Sequence, residues 1–219
     1  MVDQPNHIKA AYAVEYSPEP TSFSALPKMQ LLTLFPIFIL AISVAATPII
    51  DETYCPGAKI VSETYIGKDK NVQVLSLSCD TLPRIAPKEN VVLPRAANVL
   101  NVCASHCNNN CFLPAGGGPD PNECHVISDA LLYEGQNTGA IFQVQNGTVA
   151  GNPTVMQYRS CKTFFVNQDT QILEFCRSTW AGLVDSLAFN CQAAQNAHGG
   201  NCVADDQRWY VQVQSSTAP

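Results

Sequence analysis

Asp120-Pro-Asn-Glu-Cys-His-Val-Ile-Ser-Asp-Ala-Leu-Leu-Tyr133 reads as the start and body of an amphipathic helix. Asp120 is a capping residue, Pro121 suits the first helical position, and Glu123 is placed to return a hydrogen bond to the cap. Cys124, Ile127 and Leu131 recur at i, i+3 and i+7, with Val126, Ala130 and Tyr133 beside them. One face must therefore be buried. Gly135 or Gly139 is the expected stop. Downstream the period shortens. Residues 140–145 (AIFQVQ) alternate, and Asn146-Gly147 is the strongest short hairpin signal in the chain, predicting a return strand at 148–149. Residues 154–158 and 162–167 are further strands. A second helix is expected over 173–192, its stripe formed by Cys176, Trp180, Leu183, Val184, Leu187 and Cys191. Residues 195–202 read as a loop. In 208–214 (RWYVQVQ), Trp209, Val211 and Val213 face one way, Tyr210 and Gln212 the other.

Upstream, 59–67 and 71–78 are β-rich segments around the turn Lys68-Asp69-Lys70, which predicts a hairpin. Residues 80–94 carry three prolines and read as a connector. Two amphipathic helices and an amphipathic sheet bury their apolar sides against each other. The expected fold class is therefore α+β: two helices packed on a mainly antiparallel sheet, a sandwich stabilised by disulfides. Residues 103–214 are its body and 47–102 an N-terminal strand-rich arm.

The 219 residues are 46% hydrophobic and 14% charged, which excludes a disordered chain. A net charge of −6 argues against a nucleic-acid partner, because phosphate binding needs clustered Lys and Arg. Ten cysteines all follow residue 54: Cys55, Cys79, Cys103, Cys107, Cys111, Cys124, Cys161, Cys176, Cys191 and Cys202. Before them, 31–46 (LLTLFPIFILAISVAA) is an uncharged run, short for a membrane span and ending in small residues. Residues 29–46 are expected to be a signal peptide with Met29 as the true start, which leaves 1–28 as a polar extension upstream of it; a membrane anchor is the competing reading. The predicted location is extracellular, with no membrane association after cleavage. Asn146-Gly147-Thr148 is a glycosylation acceptor, consistent with export. An even cysteine count in an exported chain predicts disulfides, with the pairing open. Cys103, Cys107 and Cys111 with His106 also have zinc-ligand types at tolerable spacing, but export favours oxidation. No metal and no cofactor is expected.

Catalytic motifs are missing: the chain has no Gly-x-Ser-x-Gly, no Walker loop, no dinucleotide fingerprint and no His-Glu-x-x-His. His125 and Asp129 share a helix face, which reads first as a surface hydrogen bond and only second as an oriented base. His198 sits in a loop of small residues. Glu134, Asp205 and Asp206 read as solvated charges. Binding chemistry is richer. The amides Gln136, Asn137, Asn196, Asn201, Gln212 and Gln214 lie near Tyr133, Trp209 and Tyr210 in sequence. Amides bond sugar hydroxyls, and an aromatic face packs on the C–H side of a sugar ring. The candidate glycan contacts are Tyr133, Asn137, Asn196, His198, Asn201 and Tyr210.

Four blocks carry a resemblance: Gly116-Gly-Gly-Pro-Asp-Pro-Asn-Glu-Cys-His-Val-Ile-Ser-Asp-Ala-Leu131, Cys161-Lys-Thr-Phe-Phe-Val-Asn167, Asn190-Cys-Gln-Ala-Ala-Gln-Asn-Ala-His-Gly-Gly-Asn-Cys202 and Arg208-Trp-Tyr-Val-Gln-Val213. Over about 103–214 the chain resembles a family of small secreted basidiomycete proteins related to the glycan-binding lectin of the shaggy ink cap. The resemblance implies an extracellular carbohydrate-binding domain of α/β/α-type or α+β sandwich form without enzymatic activity, with glycans or glycoproteins as partners and a homodimer as a candidate assembly. Two rivals stand beside it: a secreted toxin or effector similar in scaffold to fungal killer toxins, and a hydrolase using His125 or His198.

Overall fold

A computed structural model describes residues 55–82, 99–147 and 152–216. The polar extension, the signal peptide, most of the connector and the return strand at 148–149 lie outside the described residues. In chain order the elements are β1 (Lys59–Ile66), β2 (Val72–Ser78), β3 (Val99–Asn101), β4 (Cys107–Cys111), α1 (Pro121–Asn137), β5 (Ile141–Val144), β6 (Thr154–Tyr158), β7 (Cys161–Asn167), β8 (Ile172–Cys176), α2 (Arg177–Asn190), β9 (Gly200–Ala204) and β10 (Trp209–Ser215). Seven strands form one sheet in the order β1-β2-β6-β7-β10-β9-β4, and three form a second in the order β3-β8-β5. Within these sheets only the β3–β8 pairing is parallel. The α+β class holds: two helices pack on a mainly antiparallel sheet, tied by five disulfides.

The first helix begins where its cap predicts. The Asp120 side chain accepts from the Asn122 amide, with Pro121 at the first turn. Glu123 does not close a capping box. Its carboxylate accepts from the Ser160 amide and hydroxyl instead, and the Ser160 hydroxyl accepts from the Asp120 amide. The helix thus starts as a clasp on the β6–β7 turn, reinforced by Cys124–Cys161. It runs through Gly135 and stops at Thr138, whose amide bonds the Glu134 carbonyl.

Other boundaries move for identifiable reasons. The second helix starts at Arg177, not near 173, because 172–176 is a strand: Leu173 and Phe175 are buried while Ile172 and Glu174 are not. The apparent i, i+4 step from Cys176 to Trp180 spans a strand end and a helix start. β5 pairs with β8, and β6 with β2 and β7, while the return predicted after Asn146-Gly147 falls outside the described residues. Residues 200–204 are a strand although the glycines suggested a loop. A Cβ on Gly200 would lie 2.6 Å from the Asn110 carbonyl oxygen and 3.0 Å from Cys191 Sγ, so glycine here permits close strand approach.

The predicted hairpin at 59–78 is present and forms one edge of the large sheet. Its turn is fastened to α1. The Gly67 amide donates to Glu134 Oε1 at 3.3 Å, and Lys70 Nζ lies 3.7 Å from the same oxygen. Glu134, read as a solvated charge, is 6% exposed because this turn covers it. Gly67 has φ +87°, and a Cβ there would meet Ala130 Cβ at 2.9 Å.

Both helices contribute to the main core. Ile127 and Leu131 of α1 and Trp180, Val184 and Leu187 of α2 meet Phe165, Trp209, Val211 and Val213 of the sheet. Phe165 stacks on Trp209 at 5.6 Å, Phe142 stacks on Trp180 at 5.2 Å, and Trp180 Nε1 donates to Thr163 Oγ1 at 3.1 Å. The alternation predicted in the last strand is observed: Trp209, Val211 and Val213 join this core, while Tyr210 joins a second cluster with Leu75, Leu77, Val155, Phe164 and Val166.

Directly opposed residues in neighbouring strands project to the same face. On the face carrying the second cluster, one row runs Glu63–Leu75–Val155–Phe164–Gln212–Asn201–Asn110. The next runs Tyr65–Gln73–Gln157–Lys162–Gln214. The centre of this face is buried. Its two ends, at β1 and at β4, carry exposed polar side chains.

Candidate functional site

The strand β4 has the sequence Cys-Asn-Asn-Asn-Cys and forms a sheet edge. Cys107–Cys202 ties one end to β9, and Cys111–Cys191 ties the other to the end of α2. The strand is therefore held at both ends while its three asparagines are exposed. Strand alternation divides them. Asn109 points toward α2, its amide nitrogen 3.3 Å from Ser186 Oγ. Asn108 and Asn110 share the other face with their partners Val203 and Asn201.

Those side chains form a hydrogen-bonded strip. Asn110 Nδ2 donates to Asn201 Oδ1 at 3.2 Å, and Asn108 Nδ2 donates to Asp205 Oδ1 at 2.7 Å. His106 Nδ1 lies 3.1 Å from Asp205 Oδ2. These bonds leave Asn108 Oδ1, Asn110 Oδ1 and Asn201 Nδ2 without partners among the described residues. Acceptors and a donor a few ångströms apart on a fixed strand can meet the adjacent hydroxyls of a polyol. The cysteine–histidine run read as a possible zinc set is spoken for: each cysteine is in a disulfide, and His106 faces Asp205.

The six sequence candidates separate. Asn201 belongs to the strip. Tyr210 lies on the adjacent strand but is 2% exposed, its ring packed in the second cluster rather than offered to a ligand. Asn196 and His198 come together elsewhere. Asn196 Oδ1 accepts from the Ala115 amide, and His198 Nδ1 donates to the Pro114 carbonyl at 2.6 Å, with its ring 6.0 Å from that of Phe112. They staple the glycine-rich loop to the segment before β9. Tyr133 and Asn137 sit at the end of α1, where Asn137 Nδ2 bonds the Tyr133 carbonyl. Sequence reasoning missed His106, Asn108, Asn110 and Asp205 as one surface. The available signal was the alternation inside Cys-Asn-Asn-Asn-Cys, which places positions 108 and 110 on one face once the segment is a strand.

Asn146, the glycosylation acceptor, is half-buried, its amide nitrogen donating to the Thr170 carbonyl at 2.5 Å.

His125 is held differently from the expected local pair. Its Nδ1 lies 3.0 Å from Asp185 Oδ1 on α2, while Asp129 is 3.8 Å from Nε2. Ser128 Oγ contacts the same Asp185 Oδ1 at 2.8 Å and the Ala181 carbonyl at 2.9 Å, which ties the two helices together at this point. The hydrogen bond to Asp185 raises the imidazole above its usual titration range. A raised folded-state value means stability present below about pH 6.5 and lost as pH rises through the folded value. The melting-temperature difference between wild type and His125→Asn should therefore be larger at pH 5.5 than at pH 8.5. An equal difference at both would show that the pair does not couple the helices.

No protein-family model, no curated protein and no solved structure matches the chain.

Proposed function

We propose that the chain is a secreted carbohydrate-binding protein that acts without catalysis and contacts glycans through the β4 edge. One observation carries this reading: the exposed amides of Asn108 and Asn110, on a strand anchored by a disulfide at each end, form a strip with half-buried Asn201 and with Asp205. Such anchoring fixes the strand backbone in advance, so binding does not have to order it. The same scaffold suits export, since all ten cysteines are paired. The partners are extracellular glycans or glycoproteins.

A glycan array probed with the oxidised protein tests the reading. Binding to a defined set of glycans is expected, and Asn108→Ala with Asn110→Ala should weaken it about tenfold, two hydrogen bonds of about 0.5–1.5 kcal/mol each. A blank array would overturn the proposal. Growth inhibition of fungi or cultured cells that sugars do not compete would move the protein to the toxin class.

A further inference from the structure

The edge opposite β4 carries a second cluster of the same chemistry. On β1, Glu63 Oε1 accepts from Tyr65 OH at 2.9 Å and from Gln73 Nε2 at 2.7 Å. Gln157 stands beside Gln73 in the same cross-strand row as Tyr65. Tyr65 is 49% exposed, so a large part of its ring faces solvent. Glu63 spends one oxygen on both bonds, leaving Oε2 without a partner among the described residues. The arrangement combines an aromatic ring held by its own hydroxyl, a carboxylate with a free oxygen, and two amides. A ring that packs on sugar C–H groups and acceptors for the flanking hydroxyls is the pairing a pyranose requires. The Gln73 bond, and then the Tyr65 bond, hold the Glu63 carboxyl below its usual range, so it remains an acceptor in mildly acidic media.

We infer that this cluster is a second glycan-binding site, and that one chain is bivalent, with a sugar site at each edge of its seven-stranded sheet. The inference rests on the carbohydrate-binding reading above. The two edges are six strand spacings apart, roughly 29 Å along the sheet. Two occupied sites at that distance let a single chain bridge glycans on separate carriers, and gain avidity on a dense glycan surface. The hairpin does not need the cluster for its register, which the β1–β2 ladder and the Gly67–Glu134 fastening already set.

The test compares wild type, Glu63→Gln with Tyr65→Ala, Asn108→Ala with Asn110→Ala, and the quadruple variant. All positions are exposed, and melting curves confirm that each variant is folded. Each protein is applied to a glycan array and mixed with a desialylated multi-antennary glycoprotein. The expected result is partial array binding by each double variant, about tenfold weaker on the glycans of the altered edge, with precipitation of the glycoprotein lost in both. The quadruple variant should bind nothing. Wild-type binding and precipitation by the Glu63→Gln, Tyr65→Ala protein would overturn the second site and leave the lectin reading intact. A blank array with wild type would remove both.

Discussion

Complete reduction should unfold the protein at 37 °C. The five bridges close sequence separations of 24, 37, 73, 80 and 95 residues. Each such bridge stabilises by about 2–4 kcal/mol, and the net stability of a domain is only about 5–15 kcal/mol. The three longest loops overlap, so their effects are less than additive, yet even half the sum is comparable with the total. Cys124–Cys161 is fully buried between α1 and β7, and Cys103–Cys176 fastens the segment after β3 to the end of β8. Circular dichroism melts with and without reductant measure the effect. Mass spectrometry after alkylation in denaturant measures the premise: no label without reductant, ten with it. A reduced protein that melts within a few degrees of the oxidised one would show that the core alone suffices. Labelled thiols in unreduced native material would remove the case for export. The glycan binding proposed for the β4 edge should vanish on reduction as well, because Cys107–Cys202 and Cys111–Cys191 hold the strand that bears Asn108 and Asn110.

Trp180→Ala should cost about 3–5 kcal/mol, the range for truncating a buried large aromatic residue. Trp180 is fully buried where α2 meets the sheet, stacked on Phe142 and 5.9 Å from Phe165. Its removal leaves a cavity and deprives the buried Thr163 hydroxyl of the indole donor. For a chain of this size that corresponds to a melting-temperature loss of roughly 6–20 °C. Tyr133→Ala is the control: at 37% exposed on the outer side of α1, it should change stability little. Urea denaturation of both variants gives the comparison. Equal losses would mean that the main core does not lie where Trp180 is placed.

How much of this was legible in the chain depends on the range of the interaction. The cap at Asp120, the stripe Cys124, Ile127 and Leu131, and the alternation in β10 are local patterns, and each survives in the fold. Failures came where a local pattern had two meanings. Leu173 and Cys176 extend the helical stripe of Trp180 at i, i+3 and i+7, whereas Leu173 and Phe175 alternate as a strand, and pairing with β3 and β5 made 172–176 a strand. Gly199-Gly200 looked like loop chemistry, but contact with Asn110 and Cys191 demanded glycine inside a sheet.

The candidate site shows the same division. Asn201 was found as one amide among many. Its neighbours Asn108 and Asn110 were hidden inside a cysteine cluster, because nothing within a few residues says that β4 pairs with β9, which lies some ninety residues later.

Periodicity and composition, which report each residue's relation to its near neighbours, were enough to establish two buried helix faces, an alternating sheet and a cross-linked body. The partner of each cysteine, and the amides left facing solvent, were decided by which distant strands came to lie side by side. That choice comes from burying all the apolar faces at once, and no short window of sequence contains it.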